Sequence, residues 1–251
     1  MKTFGIQLWS VKDEMVTDPT GTLKKLASFG YTQIETFEGE KGICWGMKPL
    51  VFKEFLNDLG LDLVAAHCPI DQHFDKKVEE AVLLGLDYLV CPWLGPQETA
   101  DQYRKAAEQF NVCGEKCFQA GLFFAYHNHD YSFIPVDGKI PQKLFLEITN
   151  PEWVFFEMDI YWVELAGEDP VKWLTGYPGR WPIVHLKDKA NDSSGNRFIS
   201  TELGKGTIDY PGLIKACQRQ AVHYYMVEQE RFAGTTPLLA ARANAEYMRA
   251  L

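Results

Sequence analysis

AGLFFAYHN, residues 120–128, places a glycine after a long stretch of helical character and follows it with an apolar run that ends at a histidine and an asparagine. A glycine just past a helix end accepts the left-handed backbone that closes the helix, and the run behind it reads as a buried strand. The same order recurs at Phe29-Gly30 before YTQIETF, Leu59-Gly60 before LDLVAAH and Leu84-Gly85 before LDYLVCP. The four junctions fall at 30, 60, 85 and 121, so that each interval holds one strand, one helix and two loops.

Outward from these junctions, further strands are expected at 4–8, 153–159, 182–187 and 223–228, which brings the number to eight. Helices are expected at about 17–29, 49–58, 75–84, 97–119, 141–149, 169–175, 210–220 and 236–250. Several start at pairs such as Asp18-Pro19, Asp169-Pro170 and Tyr210-Pro211, and these residue types suit a first helical turn. An alternation of this kind builds either a closed barrel or an open doubly wound sheet. The phosphate loops of the open sheet, GxGxxG or GxxxxGK[ST], follow none of the strands. The expected fold is therefore α/β, a single (β/α)8 TIM barrel occupying residues 1–251 as one domain, and such barrels need roughly 250 residues. The longest loop-like stretch, KDKANDSSGNRFISTELGKG at 187–206, is expected to lie over the active face.

Composition narrows the partners. With 46% hydrophobic and 24% charged residues, the chain has the make-up of a globular protein able to bury a core. Its 34 acidic and 25 basic side chains leave a formal charge of -9, which repels phosphate backbones and anionic membranes. Neither nucleic acid nor a membrane is an expected partner. The apolar start is too short for a signal peptide, no later run is long enough to span a bilayer, and a cytoplasmic location is the expectation. Six cysteines are spread too thinly for a disulfide framework, and Cys113 and Cys117 lack the second pair that a zinc site needs.

In a β/α barrel the chemistry sits at the carboxyl ends of the strands. Glu35 ends the second strand, His67 the third, His127 and His129 the fifth, Asp159 the sixth, His185 the seventh and Glu228 the eighth. Any one of these alone reads as a hydrogen-bonded structural group. Together they would place several charges near a dry core, which is costly unless a cation compensates. Mixed His, Asp and Glu donors without thiolate suit one divalent metal ion, Mn²⁺, Mg²⁺, Co²⁺ or Zn²⁺. The expected ligands are Asp159, His185, Glu228 and His127. Glu157 is a rival, because it shares a strand face with Asp159 at period two, and its earlier position should set it deeper. His129 likewise shares a face with His127, and spacing does not divide that pair into ligand and base.

The same strand ends carry a resemblance to the sugar phosphate isomerase/epimerase superfamily of xylose isomerase-like barrels. It covers nearly the whole chain and is most specific at YHNHDYSF (126–133), EMDIYWVELAGEDPV (157–171), VHLKDK (184–189), ELGKGTIDY (202–210) and VEQE (227–230). The resemblance implies a divalent metal held between four strand ends, with Asp159, His185 and Glu228 at three of those positions. The fourth family ligand is commonly a glutamate on the fifth strand, where this chain has His127. That departure puts the two-carboxylate proton exchange of the ketose epimerases in doubt, as does Trp162 in place of a substrate-contacting histidine. The histidine-rich fifth strand and HLKD look more like the inosose dehydratase branch and related enzymes of keto-sugars or keto-glycosides.

The implied chemistry is proton abstraction beside a carbonyl of a small-molecule carbohydrate. Return of the proton gives isomerisation or epimerisation, and loss of a β-substituent gives dehydration or lyase chemistry. His129 or Glu228 is the expected general base. Glu35, His67, Lys187 and Arg197 are expected substrate contacts, and Trp9 and Trp162 the expected aromatic walls. Barrels of this kind often pair, and a homodimer is the expected assembly, though no stretch of sequence specifies it. Two rival classes remain: a multi-metal nuclease, disfavoured by the acidic balance and the few spare ligands, and a sugar-binding barrel without catalysis.

Overall fold

The computed structural model describes residue 1, residues 3–190 and residues 199–251. Eight strands form a closed parallel barrel: β1 (Gly5–Gln7), β2 (Gln33–Phe37), β3 (Asp62–His67), β4 (Tyr88–Cys91), β5 (Phe123–His127), β6 (Val154–Asp159), β7 (Ile183–Leu186) and β8 (Tyr224–Val227). Each pairs with its neighbours in sequence, and β8 closes on β1 with Gly5 opposite Met226 and Ile6 opposite Val227. All eight expected strands are present. The glycines of the four junctions, Gly30, Gly60, Gly85 and Gly121, all have positive φ, as helix closure requires.

The helices are α1 (Lys12–Thr17), α2 (Pro19–Phe29), α3 (Pro49–Asp58), α4 (Phe74–Leu84), α5 (Ala100–Gln119), α6 (Pro141–Ile148), α7 (Ile160–Leu165), α8 (Pro170–Gly176), α9 (Tyr210–Arg219) and α10 (Pro237–Ala250). Among the described residues, no helix is long and apolar enough to cross a membrane. Three details differ from the sequence reading. The helix expected at 17–29 is preceded by a separate α1, because Asp18 leaves helical geometry and its carboxylate instead accepts the Gly21 N–H at 2.9 Å, capping α2. The helix expected from 97 starts at Ala100, where Thr99 and Gln102 form a reciprocal capping box. Helix α7 is an addition; it begins directly after β6, with Asp159 Oδ1 accepting the Trp162 N–H at 3.3 Å. The sequence hides it because its six residues are too few to show a helical period. Within the long loop after β7, Asp188–Lys189 pairs antiparallel with Ser200–Thr201.

Period-two alternation divides the hydrophobic residues into two bodies. Val64, Ala65, Tyr88, Val90, Ala125, Ile183 and Met226 fill the barrel interior, with Phe123, Phe155 and Tyr224 packed against them. The larger cluster lies between the sheet and the helices and includes Phe4, Phe110, Phe124, Phe156 and Trp181. Apart from Gln33 at the floor, the interior is apolar from its amino end up to about the middle of the strands, and the carboxyl half is left to polar side chains. That division sets the depth of the site.

The floor is tightly packed at Gly5, where an added Cβ would overlap Met226 Sδ and lie 2.9 Å from both Cβ and O of Gln33. Over-packing of this kind typically costs about 1–3 kcal/mol. Gly5→Val is expected to lose that much unfolding free energy in urea titration with an unchanged m-value. A variant as stable as the parent would show that the barrel floor yields.

Candidate functional site

Continuing the alternation to the strand ends brings six groups from five strands, and one from just past β8, into one buried layer: Glu35, His67, His127, Glu157, Asp159, His185 and Glu228. None is more than 7% exposed. The ladder ranks them by depth, since His127 pairs with Glu157 across β5 and β6, whereas Asp159 pairs with His185 across β6 and β7. Glu157 therefore lies one inward step below Asp159, as its earlier position implied.

Glu157 is the hub of the lower level. Its Oε2 is 2.7 Å from His67 Nε2, 2.8 Å from His127 Nδ1 and 3.2 Å from His185 Nε2. Glu35 Oε2 accepts from His185 Nε2 at 2.6 Å, and Glu35 Oε1 lies 3.2 Å from His67 Nε2. Each imidazole nitrogen that faces these carboxylates is placed as a donor. The other nitrogens of His127 and His185 both face the upper level; burial and the neighbouring cations hold His127 well below the usual imidazole range, so it carries a lone pair there, whereas Glu157 and Glu35 outweigh burial and hold His185 well above it, so a cation would take the place of its Nδ1 proton. There His127 Nε2 is 3.8 Å from Asp159 Oδ2, and His185 Nδ1 is 3.5 Å from Glu228 Oε2.

Two groups of donors are close enough to hold a metal: His67, His127, Glu157 and His185 below, and His127, Asp159, His185 and Glu228 above. Their spacings differ in kind. Donors about 2.1 Å from a common tetrahedral centre stand about 3.4 Å apart, which the upper separations of 3.5 and 3.8 Å approach. The lower separations are ordinary hydrogen bonds. His185 Nδ1 is buried without a hydrogen bond, and Asp159 Oδ2 and Glu228 Oε2 meet the Lys187 ammonium at 3.1 and 2.7 Å, so both oxygens already face a cation. The upper donor set fits a divalent cation, and it contains the four ligands expected from the strand ends.

The charges respond to burial and to one another. Burial alone would lower the His67 pKa, but Glu35 and Glu157 raise it to about 10. Burial pushes the Asp159 carboxyl up to about 6 against the pull of Lys187. Desolvation would also raise Glu228, yet Lys187 and His185 hold it well below the usual carboxylate range. His129 is pushed down to about 3 by burial and by the Lys187 cation, so its imidazole is neutral at physiological pH.

Above the donor set opens a cavity of about 430 Å³, with His67, His127 and Glu228 in its floor and Trp9, Phe37, Trp93 and Trp162 in its walls. His129 stands among aromatic rings, with centroids 4.6 Å from Trp93, 5.1 Å from Trp162 and 5.7 Å from a parallel Tyr131. Trp93 adds to the expected walls; its position two residues past β4 reads equally well as core or rim. Glu35 lies behind His67 and His185 at zero exposure and does not line the cavity. Lys187 is 1% exposed, not at the surface, with its ammonium 2.7 Å from Glu228 Oε2, 3.1 Å from Asp159 Oδ2 and 2.9 Å from Glu230 Oε1. Arg197 lies outside the described residues.

Three further positioning groups escape the sequence reading. Asn128, buried between the two histidines, exchanges hydrogen bonds with the backbone of Asp159 at 3.2 Å each, locking the ends of β5 and β6 together. Tyr210 Oη bridges the N–H and C=O of Lys187 at 2.8 and 2.7 Å. Asp188 accepts the backbone N–H groups of Gly204, Gly206 and Ile208, folding the long loop back onto the barrel rim. Alternation from His185 through Asp188 is a usable signal, since it sends Lys187 inward and Asp188 outward.

With the geometry in place, comparison with known proteins gives consistent results. Residues 23–251 match the family described as xylose isomerase-like TIM barrel. Inosose dehydratase 2 of Bacillus cereus is 31% identical over 93 residues, covering 37% of this chain and 30% of that relative. The match thus spans less than a third of the relative's length. A crystal structure of a sugar phosphate isomerase/epimerase from Parabacteroides distasonis ATCC 8503 superposes with a TM-score of 0.87 at 28% identity, covering 99% of this chain and 94% of that one. The IOLI protein, solved with a bound zinc atom, shares the fold at a TM-score of 0.79 and 14% identity, covering 99% and 97%.

The hydrogen bonds of Glu157 generate a test. Groups that orient a ligand imidazole are typically worth about 10-fold to 100-fold in metal affinity. Glu157→Gln is expected to weaken Mn²⁺ or Zn²⁺ binding by that factor in competition with a chelating dye, while circular dichroism stays unchanged. Unaltered affinity would show that Glu157 does not orient the upper donors.

Proposed function

The chain belongs to the xylose isomerase-like TIM barrel family, and from that premise we propose that it is a divalent-metal-dependent enzyme of the sugar isomerase/epimerase type. The observation that carries the reading is the upper donor set of His127, Asp159, His185 and Glu228, which opens onto a tryptophan-walled cavity. Tryptophan faces suit the apolar C–H faces of a sugar ring, and the two carboxylates and two imidazoles suit a cation that also meets substrate oxygens. When bound, the cation supplies a Lewis acid for a carbonyl and its neighbouring hydroxyl.

The chain's own residues handle the proton. His129 and Glu228 both line the cavity, on different strand ends, and in this reading one of them accepts the proton from a carbon beside the carbonyl. His129 is not part of either donor set, so its imidazole is available to the substrate. Glu228 shares its Oε2 with Lys187 and His185, which ties its proton traffic to the cluster. His67 presents its edge to the floor of the cavity while Glu35 and Glu157 hold it from behind, and Trp162 closes the side wall. Return of the proton to carbon completes an isomerisation or epimerisation. In the second reading, a β-hydroxyl or glycosidic oxygen departs with a proton and leaves an unsaturated product; the relative named inosose dehydratase favours it.

Incubation of the Mn²⁺-supplied protein in D₂O with keto-sugars, inososes and 3-keto-glycosides is expected to give carbon-bound deuterium or an elimination product by NMR. His129→Asn should slow that exchange by about 10²-fold to 10⁴-fold with metal content unchanged. Asp159→Asn should lose metal and exchange together. Neither deuterium nor elimination product from any member of the panel would leave a binding role only.

A further inference from the structure

We infer that Tyr131 is a positioning residue for ligand binding: its hydroxyl, together with the Gln97 amide, clamps the loop after β4 and presets Trp93 as a wall of the cavity, an inference that rests on the sugar-site reading above. Trp93 lines the cavity and is 56% exposed. Residues 92–97, which carry it, form no helix or strand, so no ladder holds their backbone. Two side chains hold it instead. Tyr131 Oη accepts the N–H groups of Leu94 and Gly95 at 3.3 and 3.1 Å. From the other edge, Gln97 Nε2 donates to the carbonyls of the same two residues at 3.3 and 3.1 Å. The backbone N–H of Gln97 is anchored in turn on Tyr103 Oη at 3.0 Å. All four main-chain polar groups of Leu94 and Gly95 are thereby paired within the protein, which fixes the shape of the loop.

Tyr131 joins this clamp to the aromatic wall. Its ring meets Trp93 edge-on at 5.1 Å and lies parallel to His129 at 5.7 Å, while the indole meets His129 edge-on at 4.6 Å. Tyr131 is buried, and its oxygen is fixed from behind by the Tyr126 hydroxyl at 3.2 Å, which also bonds Ser132 Oγ at 3.1 Å. The positive φ of Gly95, 78°, turns the chain beside the indole, where an added Cβ would lie 3.4 Å from Trp93 Nε1. An indole held in this way is ordered before a ligand arrives. A side chain that has to be ordered on binding typically weakens affinity by about threefold to tenfold. The partners of the Tyr131 hydroxyl are Leu94, Gly95 and Tyr126, none of them a metal-competent donor, so it acts on affinity through Trp93 and not on the proton or the cation.

Tyr131→Phe keeps both ring contacts and removes only the hydroxyl. In amide hydrogen exchange followed by NMR on the Mg²⁺-supplied protein, the Leu94 and Gly95 amides are expected to exchange about tenfold faster or more in the variant, with β5 and β6 unchanged. Unchanged exchange at those two amides would overturn the clamp whatever the protein binds. Calorimetric titration with each member of the keto-sugar panel, D-fructose and L-ribulose among them, reads the consequence. A sugar that binds the parent should bind Tyr131→Phe about threefold to tenfold more weakly, and KM for proton exchange should rise by the same factor while kcat stays within about twofold. Trp93→Ala should weaken binding as well, and adding Tyr131→Phe to it should cost less than about 1.5-fold more, because the hydroxyl acts through the indole. Unchanged affinity in Tyr131→Phe, fully additive losses in the double variant, or a fall in kcat at constant KM would each overturn the inference while leaving a sugar site intact. If no member of the panel binds the parent and the D₂O experiment is also silent, the sugar-site reading itself falls and takes this inference with it.

Discussion

Burying charge in the mouth of a barrel is the constraint on which the rest of the site depends. An isolated carboxylate or imidazolium removed from water costs several kcal/mol even after relaxation, so each must find a partner of opposite sign or share a cation. Four carboxylates and three histidines occupy one nearly dry cluster of two levels here. The lower level resolves the problem internally, with Glu35 and Glu157 hydrogen-bonded to His67, His127 and His185. Satisfying the lower level orients the upper one, because an imidazole held by one nitrogen below presents its other nitrogen above, where a cation can take the place of a proton.

That two-level arrangement follows from elementary barrel geometry. Inward side chains recur every second residue, and the stagger of parallel strands places consecutive inward residues in successive layers. On β6 this makes Glu157 a supporting group and Asp159 a candidate ligand, although the two carboxylates differ by one methylene and two positions. On β5 it places His127 in the layer of Glu157, while His129, past the last paired residue, leans into the aromatic wall. Asn128 between them faces neither level and instead ties the two strand ends through the backbone of Asp159.

The rim shows how loops are recruited to a fixed scaffold. Asp188 draws in three backbone N–H groups of the segment before α9, and Tyr210 at the start of α9 holds the backbone of Lys187. Lys187 thereby becomes a fully enclosed cation between the metal-competent carboxylates and Glu230. The same ion pairs that stabilise the buried carboxylates hold the Lys187 ammonium among them.

Sequence by itself determined the eight strands, the closed barrel and the strand-end donors, because these rest on local rules: glycine after a helix, short apolar runs and polar residues at their ends. It also ranked Glu157 below Asp159, since depth along a strand follows from position. Tertiary structure alone decided the rest. Glu35 reads as a substrate contact in one dimension and stands behind two histidines in three, because barrel closure brings β2 opposite β7 across the interior. Trp93 joins the cavity wall, and Lys187 passes from a strand-end lysine to a buried one, through partners that lie dozens of residues away. Those outcomes depend on which strand ends face one another across a closed ring, and no local pattern encodes that.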